Sequence, residues 1–141
     1  MRILFVCTGN ACRSQMAEGF ARSLLGTSVV AYSAGVAPKG LDARAVAVMA
    51  EAGVDISGHR SKAVSELPDV SFDAIVTLCD EAGAACPFVP GSGTRIHAGF
   101  PDPPVLAAGA ATEEEALSHY RRVRDAIRAF VLELPARLQG K

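Results

Sequence analysis

Cys7 and Arg13 enclose five residues, Thr8-Gly9-Asn10-Ala11-Cys12, and Ser14 follows directly. A guanidinium is a planar fork that holds two oxygens of an oxyanion at once. Thr8, Gly9 and Asn10 are small or tolerate unusual dihedrals, so the loop can curl with its amides inward. A thiol at the rim of such a positive cradle is favoured as the thiolate, the form that attacks. Ser14 is placed to donate a hydrogen bond to that sulfur. A nucleophile at the base of an anion cradle suits attack on a tetrahedral oxyanion. Taken singly, Cys7 also fits a small buried hydrophobe and Arg13 a surface charge.

The flanking elements favour chemistry. Residues 3–6 are an apolar run that predicts a buried strand. Residues 15–25 carry Met16, Ala17, Phe20, Ala21 and Leu24 at helical spacing. The loop therefore joins the carboxyl end of a strand to a helix N-terminus, where free amides and the helix dipole attract an anion. No Gly-Lys-Ser/Thr closes it, so it is not a Walker loop.

The pattern continues with a strand over 29–33, a loop over 35–40, and a helix from an Asp42 cap to about Ala52, stopped by Gly53. Residues 61–67 predict a short helix ending before Pro68. Residues 74–78 form an apolar third strand of the kind covered on both faces. Residues 95–98 are a weak fourth strand, and 91–93 and 105–111 read as surface loops. Thr112 and Glu115 form a capping box for a last helix. Its core stripe is Ala116, Tyr120, Val123, Ile127, Phe130, Val131 and Leu134, and Pro135 ends or kinks it. Strands alternating with helices predict an α/β fold: a four-stranded parallel sheet with helices on both faces and flavodoxin-like order. Ligands then sit beyond the carboxyl ends of the strands, where Cys7, Cys79 and Asp102 would converge.

The 141 residues, half of them apolar and 21% charged, predict one domain over 1–141 with a single core. A net charge of -1 argues against a nucleic-acid binder. Arg121, Arg122, Arg124 and Arg128 are balanced by Glu113, Glu114, Glu115 and Asp125, as on a solvated helix face. No segment approaches the ~18 apolar residues of a membrane span. The N-terminus carries no signal or transit pattern, so a cytoplasmic protein with reduced thiols is expected. Four cysteines there indicate metal or redox chemistry. Cys7/Cys12 and Cys79/Cys86 are spaced wider than zinc ligands usually are, and His59, His97 and His119 are scattered, so no metal is expected.

The block from Cys7 to Glu18 resembles the low-molecular-weight protein tyrosine phosphatase superfamily, and within it the thioredoxin-coupled arsenate reductases. Further similarities run in order through Tyr32-Ser33-Ala34-Gly35, Asp55-Ile56-Ser57, Val76-Thr77-Leu78-Cys79, Cys86-Pro87, Asp102-Pro103 and His119 to Asp125. The resemblance implies an arsenate reductase of arsenic detoxification. Its loop, Thr8 to Ser14, holds arsenate, with phosphate or sulfate as analogues. Cys7 attacks arsenic while Asp102, otherwise a turn residue between prolines, protonates the departing oxygen. Cys79 then attacks Cys7 and releases arsenite, and Cys86 attacks Cys79. Thioredoxin reduces the final disulfide, with a glutaredoxin as the other candidate. No bound cofactor and a monomer are implied. Because residues 80–85 suit a helix, a Cys79–Cys86 bond would require that segment to unwind.

In some arsenate reductases the residues matching Asn10, Glu18 and Ser33 bind potassium together with an Asp. This chain has Lys62 at the Asp position, which implies either a monovalent cation or the Lys62 ammonium in its place. Two other functions remain. One is a phosphotyrosine phosphatase, for which Cys79 and Cys86 would be idle, and Pro104 and Gln15 depart from the usual Tyr and Pro. The other is an anion-binding or redox-sensing module using Cys7 and Cys12.

Overall fold

The computed structural model describes residues 1–79 and 93–139. Its strands are β1 (Arg2–Cys7), β2 (Val30–Gly35), β3 (Ala74–Thr77) and β4 (Thr94–His97). Its α-helices are α1 (Arg13–Leu24), α2 (Ala43–Glu51), α3 (Pro103–Ala107) and α4 (Glu113–Gln139). The sheet has the order β2-β1-β3-β4 and every pairing is parallel, as the pattern of alternating elements predicts. Cys7 pairs with Gly35, Val6 with Thr77, and Thr77 with His97, so all four strands end at one edge.

Alternation along β1 divides the core. Ile3, Phe5 and Cys7 pack with the buried residues of all four α-helices, whereas Leu4 and Val6 face Ala34 and Ile75 on the other side. That second face is covered by Tyr32, Phe72, Leu67 and Val64 of a 3-10 turn, Val64–Glu66. The short helix expected at 61–67 shrinks to this turn. Ser61 and the Lys62 amide are used instead to bind the Cys7–Arg13 loop, and Ala63 bridges Gly35 of β2.

Local signals account for most boundaries. The Asp42 carboxylate accepts from the amides of Arg44 and Ala45, and Gly53 follows α2 at φ +82. Thr112 accepts from the Glu115 amide, but Glu115 reaches back to the amide of Ala111, one residue beyond the usual box partner. Every residue of the predicted α4 stripe is buried.

Three expectations need correction. Residues 105–107 of the loop expected over 105–111 are helical: they belong to α3, whose Pro103 and Pro104 sit in the first turn, where a missing N–H costs nothing. Of the two outcomes expected at Pro135, an end or a kink, the end does not occur, since α4 runs on to Gln139. Leu138 packs on the core and the Arg137 guanidinium lies 5.2 Å over the Phe130 ring, holding the last turn. Helix α1 begins at Arg13, two residues earlier than its apolar spacing implies. Gly91, Ser92, Cys86 and the segment 80–85 lie outside the described residues.

Candidate active site

Strand β1 carries Cys7 to the carboxyl edge of the sheet, and α1 starts six residues later with Arg13. The turn between them is tight. Asn10 takes φ +46, a left-handed conformation that Asn tolerates. The loop backbone leans on Gly35 so closely that a Cβ there would sit 2.7 Å from Thr8 O and 2.8 Å from Asn10 N.

The hydrogen bonds beneath the loop have a direction that backbone groups settle. The Lys62 amide can only donate, and it points at Asn10 Oδ1 at 2.9 Å. Asn10 Nδ2 therefore faces Ser14 Oγ, at 2.8 Å. With its oxygen accepting there, the Ser14 hydroxyl proton is free for Cys7 Sγ, 2.9 Å away. The carbonyls of Asn10 and Arg60 can only accept, and both receive Gln15 Nε2 at 3.1 Å. Gln15 Oε1 is thereby turned to His59 Nδ1 at 2.9 Å, so that nitrogen carries the proton. Ser61 Oγ closes the strap by donating to Gly9 O at 3.1 Å. Asn10, Ser14 and Gln15 are fully buried. Among the described residues, no buried side-chain nitrogen or oxygen lacks a partner.

Above the loop lies a cavity of about 540 Å³. Cys7, Thr8, Gly9, Ala11, Cys12 and Arg13 line its floor, Lys39 and Asp102 its rim, and Pro104, Val105 and Ala108 its far wall. None of these is aromatic. Arg13, 4% exposed, donates to Phe100 O at 2.9 Å and holds Nη2 3.6 Å from Asp102 Oδ2. Its guanidinium thus joins the floor to the segment after β4. Cys79 is buried just past β3, its Sγ 3.7 Å from Thr8 Oγ1. It is disulfide-bonded, whereas Cys7 and Cys12 are free thiols. Burial pushes the Cys12 thiol up, with Asp42, Cys7 and Asp102 adding to it and Arg13 opposing. Cys12 is thereby held as the neutral thiol.

Glu18 and Ser33 also meet behind the loop. The Ser33 hydroxyl donates to Glu18 Oε1, Arg22 Nη2 lies 2.8 Å from Oε2, and Lys62 Nζ lies 3.9 Å from Oε1. Burial lowers the Lys62 ammonium below its ordinary range, with Glu18 opposing. Asn10 Oδ1 is occupied by the Lys62 amide and by Gln15 Nε2. Among the described residues, no group of three or more His, Cys, Asp or Glu could hold a metal ion, and no helix is long and apolar enough to cross a membrane.

The structure brings Cys7, the loop residues, Arg13, Cys79 and Asp102 to one end of the sheet; Cys86 lies outside the described residues. Sequence reasoning missed Lys39, the wall made by α3, and the strap of His59, Ser61 and the Lys62 amide. The strap lies 44 to 52 residues from the groups it binds and has no local pattern to betray it.

A parallel α/β sheet that delivers a cysteine into a Cys-x5-Arg-Ser loop at a helix N-terminus defines a cysteine-based oxyanion-binding site. Residues 2–141 match the model of the low molecular weight phosphotyrosine protein phosphatase family, and the chain belongs to that family. Among curated proteins it is similar to the arsenate reductase of Bacillus subtilis (strain 168), 46% identical over 125 residues that cover 89% of this chain and 88% of that one. Among solved structures it is similar to an arsenate reductase in the phosphate binding state, with TM-score 0.75 and 28% identity, covering 97% of this chain and 98% of that one. The Corynebacterium glutamicum thioredoxin-dependent arsenate reductase Cg_ArsC1' gives TM-score 0.70 at 25% identity, over 98% of this chain and 61% of that one.

Proposed function

We propose that this protein reduces arsenate to arsenite with electrons from thioredoxin. Arsenate enters the cavity and its oxygens take the loop amides and the Arg13 fork. The Cys7 thiolate bonds to arsenic, and an oxygen departs as water with the proton that Asp102 supplies. The Cys79 thiolate then attacks Cys7 Sγ. A Cys7–Cys79 bond forms, the sulfur–arsenic pair passes to arsenic, and As(V) leaves as arsenite. The Cys86 thiolate attacks Cys79, frees Cys7, and leaves a disulfide that the thioredoxin dithiol reduces. Two thiols thus supply the two electrons, and no bound cofactor is needed.

The observation that carries this reading is the place of Cys79. It is buried against Thr8 of the Cys7 loop, and its sulfur is in a disulfide. A phosphatase would leave that cysteine without work. Phosphomonoester hydrolysis through Cys7 is the second reading; the family match supports it, and the absence of aromatic side chains among the described residues that line the cavity argues against an aryl substrate. The cascade requires a reducing compartment, in keeping with a cytoplasmic protein, and one chain carries every group named. The test is NADPH oxidation through thioredoxin reductase and thioredoxin. Arsenate-dependent turnover that Cys7→Ser abolishes is expected. Turnover of aryl phosphate with none of arsenate would overturn the reading.

A further inference from the structure

We propose that His59 is a positioning residue for this site, acting on the anion loop through Gln15. The inference rests on the reading of Cys7 as nucleophile, but it concerns how the loop is held. His59 lies half-buried in the turn after residues 54–56 and faces a second, smaller cavity of about 220 Å³ beside Arg22 and Asp55. Its Nδ1 proton goes to Gln15 Oε1. Gln15 Nε2 has two protons and three acceptors around it: Asn10 O, Asn10 Oδ1 and Arg60 O. A carboxamide in that setting has one good orientation, and the His59 donor satisfies its other end.

What the carboxamide holds is the strained point of the loop. Asn10 is the non-glycine residue with positive φ among the described residues, and it is fully buried. Its Oδ1 accepts from Gln15 and from the Lys62 amide, and its Nδ2 reaches Ser14, which reaches Cys7. One donor at each step, from His59 through Gln15 and Asn10 to Ser14, leads towards the sulfur. Without the His59 proton, Gln15 Oε1 is left buried and unpaired, and the carboxamide is drawn away from Asn10 to find another donor. The floor of the cradle then samples more arrangements, and an oxyanion must select the competent one. Anion affinity falls by the fraction lost.

The test is isothermal titration of the full chain with inorganic phosphate, a readout independent of arsenate turnover. His59→Phe keeps the ring and removes the donor; it should weaken phosphate binding about fivefold, the worth of one net hydrogen bond. His59→Gln, which restores an N–H donor, should return affinity to within about twofold of the parent. Gln15→Met should reproduce the loss, and His59→Phe added to it should cost little more, because the two act in series. The arsenate KM should rise with the phosphate constant while kcat changes less. Unchanged phosphate affinity in folded His59→Phe overturns the proposal. So does equal weakening by His59→Gln, or additive losses in the double variant. Failure of the arsenate reading would instead show as normal phosphate affinity with no arsenate turnover in the parent chain.

Discussion

At the scale of single residues, the chemistry was legible because it is local. Cys7, Arg13 and Ser14 lie within eight positions, and the expected Ser14–Cys7 hydrogen bond is present at 2.9 Å. The left-handed Asn10 was legible for the same reason. Gln15 was not: in the sequence it is only a departure from a phosphatase pattern, and its role appears once His59 and Arg60 arrive from 44 and 45 residues away. The buried Glu18 separates two residue-scale outcomes. Lys62 Nζ already stands 3.9 Å from it, so potassium has no vacant charge to neutralise. Arsenate kinetics should be the same in potassium and sodium chloride at equal ionic strength. Lys62→Asp keeps the backbone amide on Asn10 but sets a second carboxylate beside Glu18, and it should make kcat/KM rise with potassium. Potassium activation of the parent chain would place a cation where Lys62 is now assigned. The two outer cysteines divide the readings just as sharply. Cys79→Ser and Cys86→Ser should each stop multiple turnovers of arsenate. Each should leave hydrolysis of a small aryl phosphate nearly unchanged, since that needs only Cys7, Arg13 and Asp102. Loss of hydrolysis in a folded variant would join Cys79 to the first chemical step.

At the scale of elements, periodicity found the strands and the long helices but misjudged what their polar faces do. Helix α1 has apolar residues at the spacing of an amphipathic surface helix. Yet every residue from Arg13 to Ala21 is buried. Its polar side faces Cys7, the Asn10 carboxamide and Ser33 instead of water, so the second stripe is the site. Helix α3 was invisible because five residues with two prolines carry no period, although its prolines sit where a helix start accepts them. The end of β2 makes the sharpest element-scale prediction. Gly35 is where β2 and the loop touch, and the atoms that a Cβ would meet are backbone atoms, unable to swing aside. Gly35→Ala should cost about 1–3 kcal/mol of stability as an overpacked contact. It should also lower kcat/KM by on the order of tenfold to a hundredfold by displacing the loop. Chemical denaturation and steady-state kinetics read the two effects separately. A variant with the stability loss but parental kinetics would show that the loop tolerates displacement.

At the scale of the whole molecule, a net charge of -1 conceals ion pairs laid between elements. Arg121 and Arg124 of α4 both reach Glu51 of α2, and Arg44 of α2 reaches Glu113 of α4. The balancing acids expected on α4 itself are supplemented by one from α2, which helical spacing cannot show. These pairs are solvent-exposed and contribute little each. The arginines beside Glu51 and Glu113 hold those carboxyls below the usual range, so their contribution is present above the unfolded carboxyl range and fades as pH falls below it. His59 acts earlier. Burial lowers its imidazole below the ordinary 6.5, with Arg22 and Lys62 adding and Glu18 and Asp55 opposing. Between the folded and unfolded values the unfolded chain binds a proton that the native chain refuses. Stability must therefore rise with pH through that window, and fall as pH drops from 6.5 towards the native value. Acid loss of stability should come in two stages, the upper from His59 and the lower from the carboxylates. Thermal midpoints across mildly acidic pH should decline in the parent below the ordinary histidine range and stay level there in His59→Gln, while both fall together in the carboxylate range. Parallel curves for the two proteins would assign the upper stage to another group.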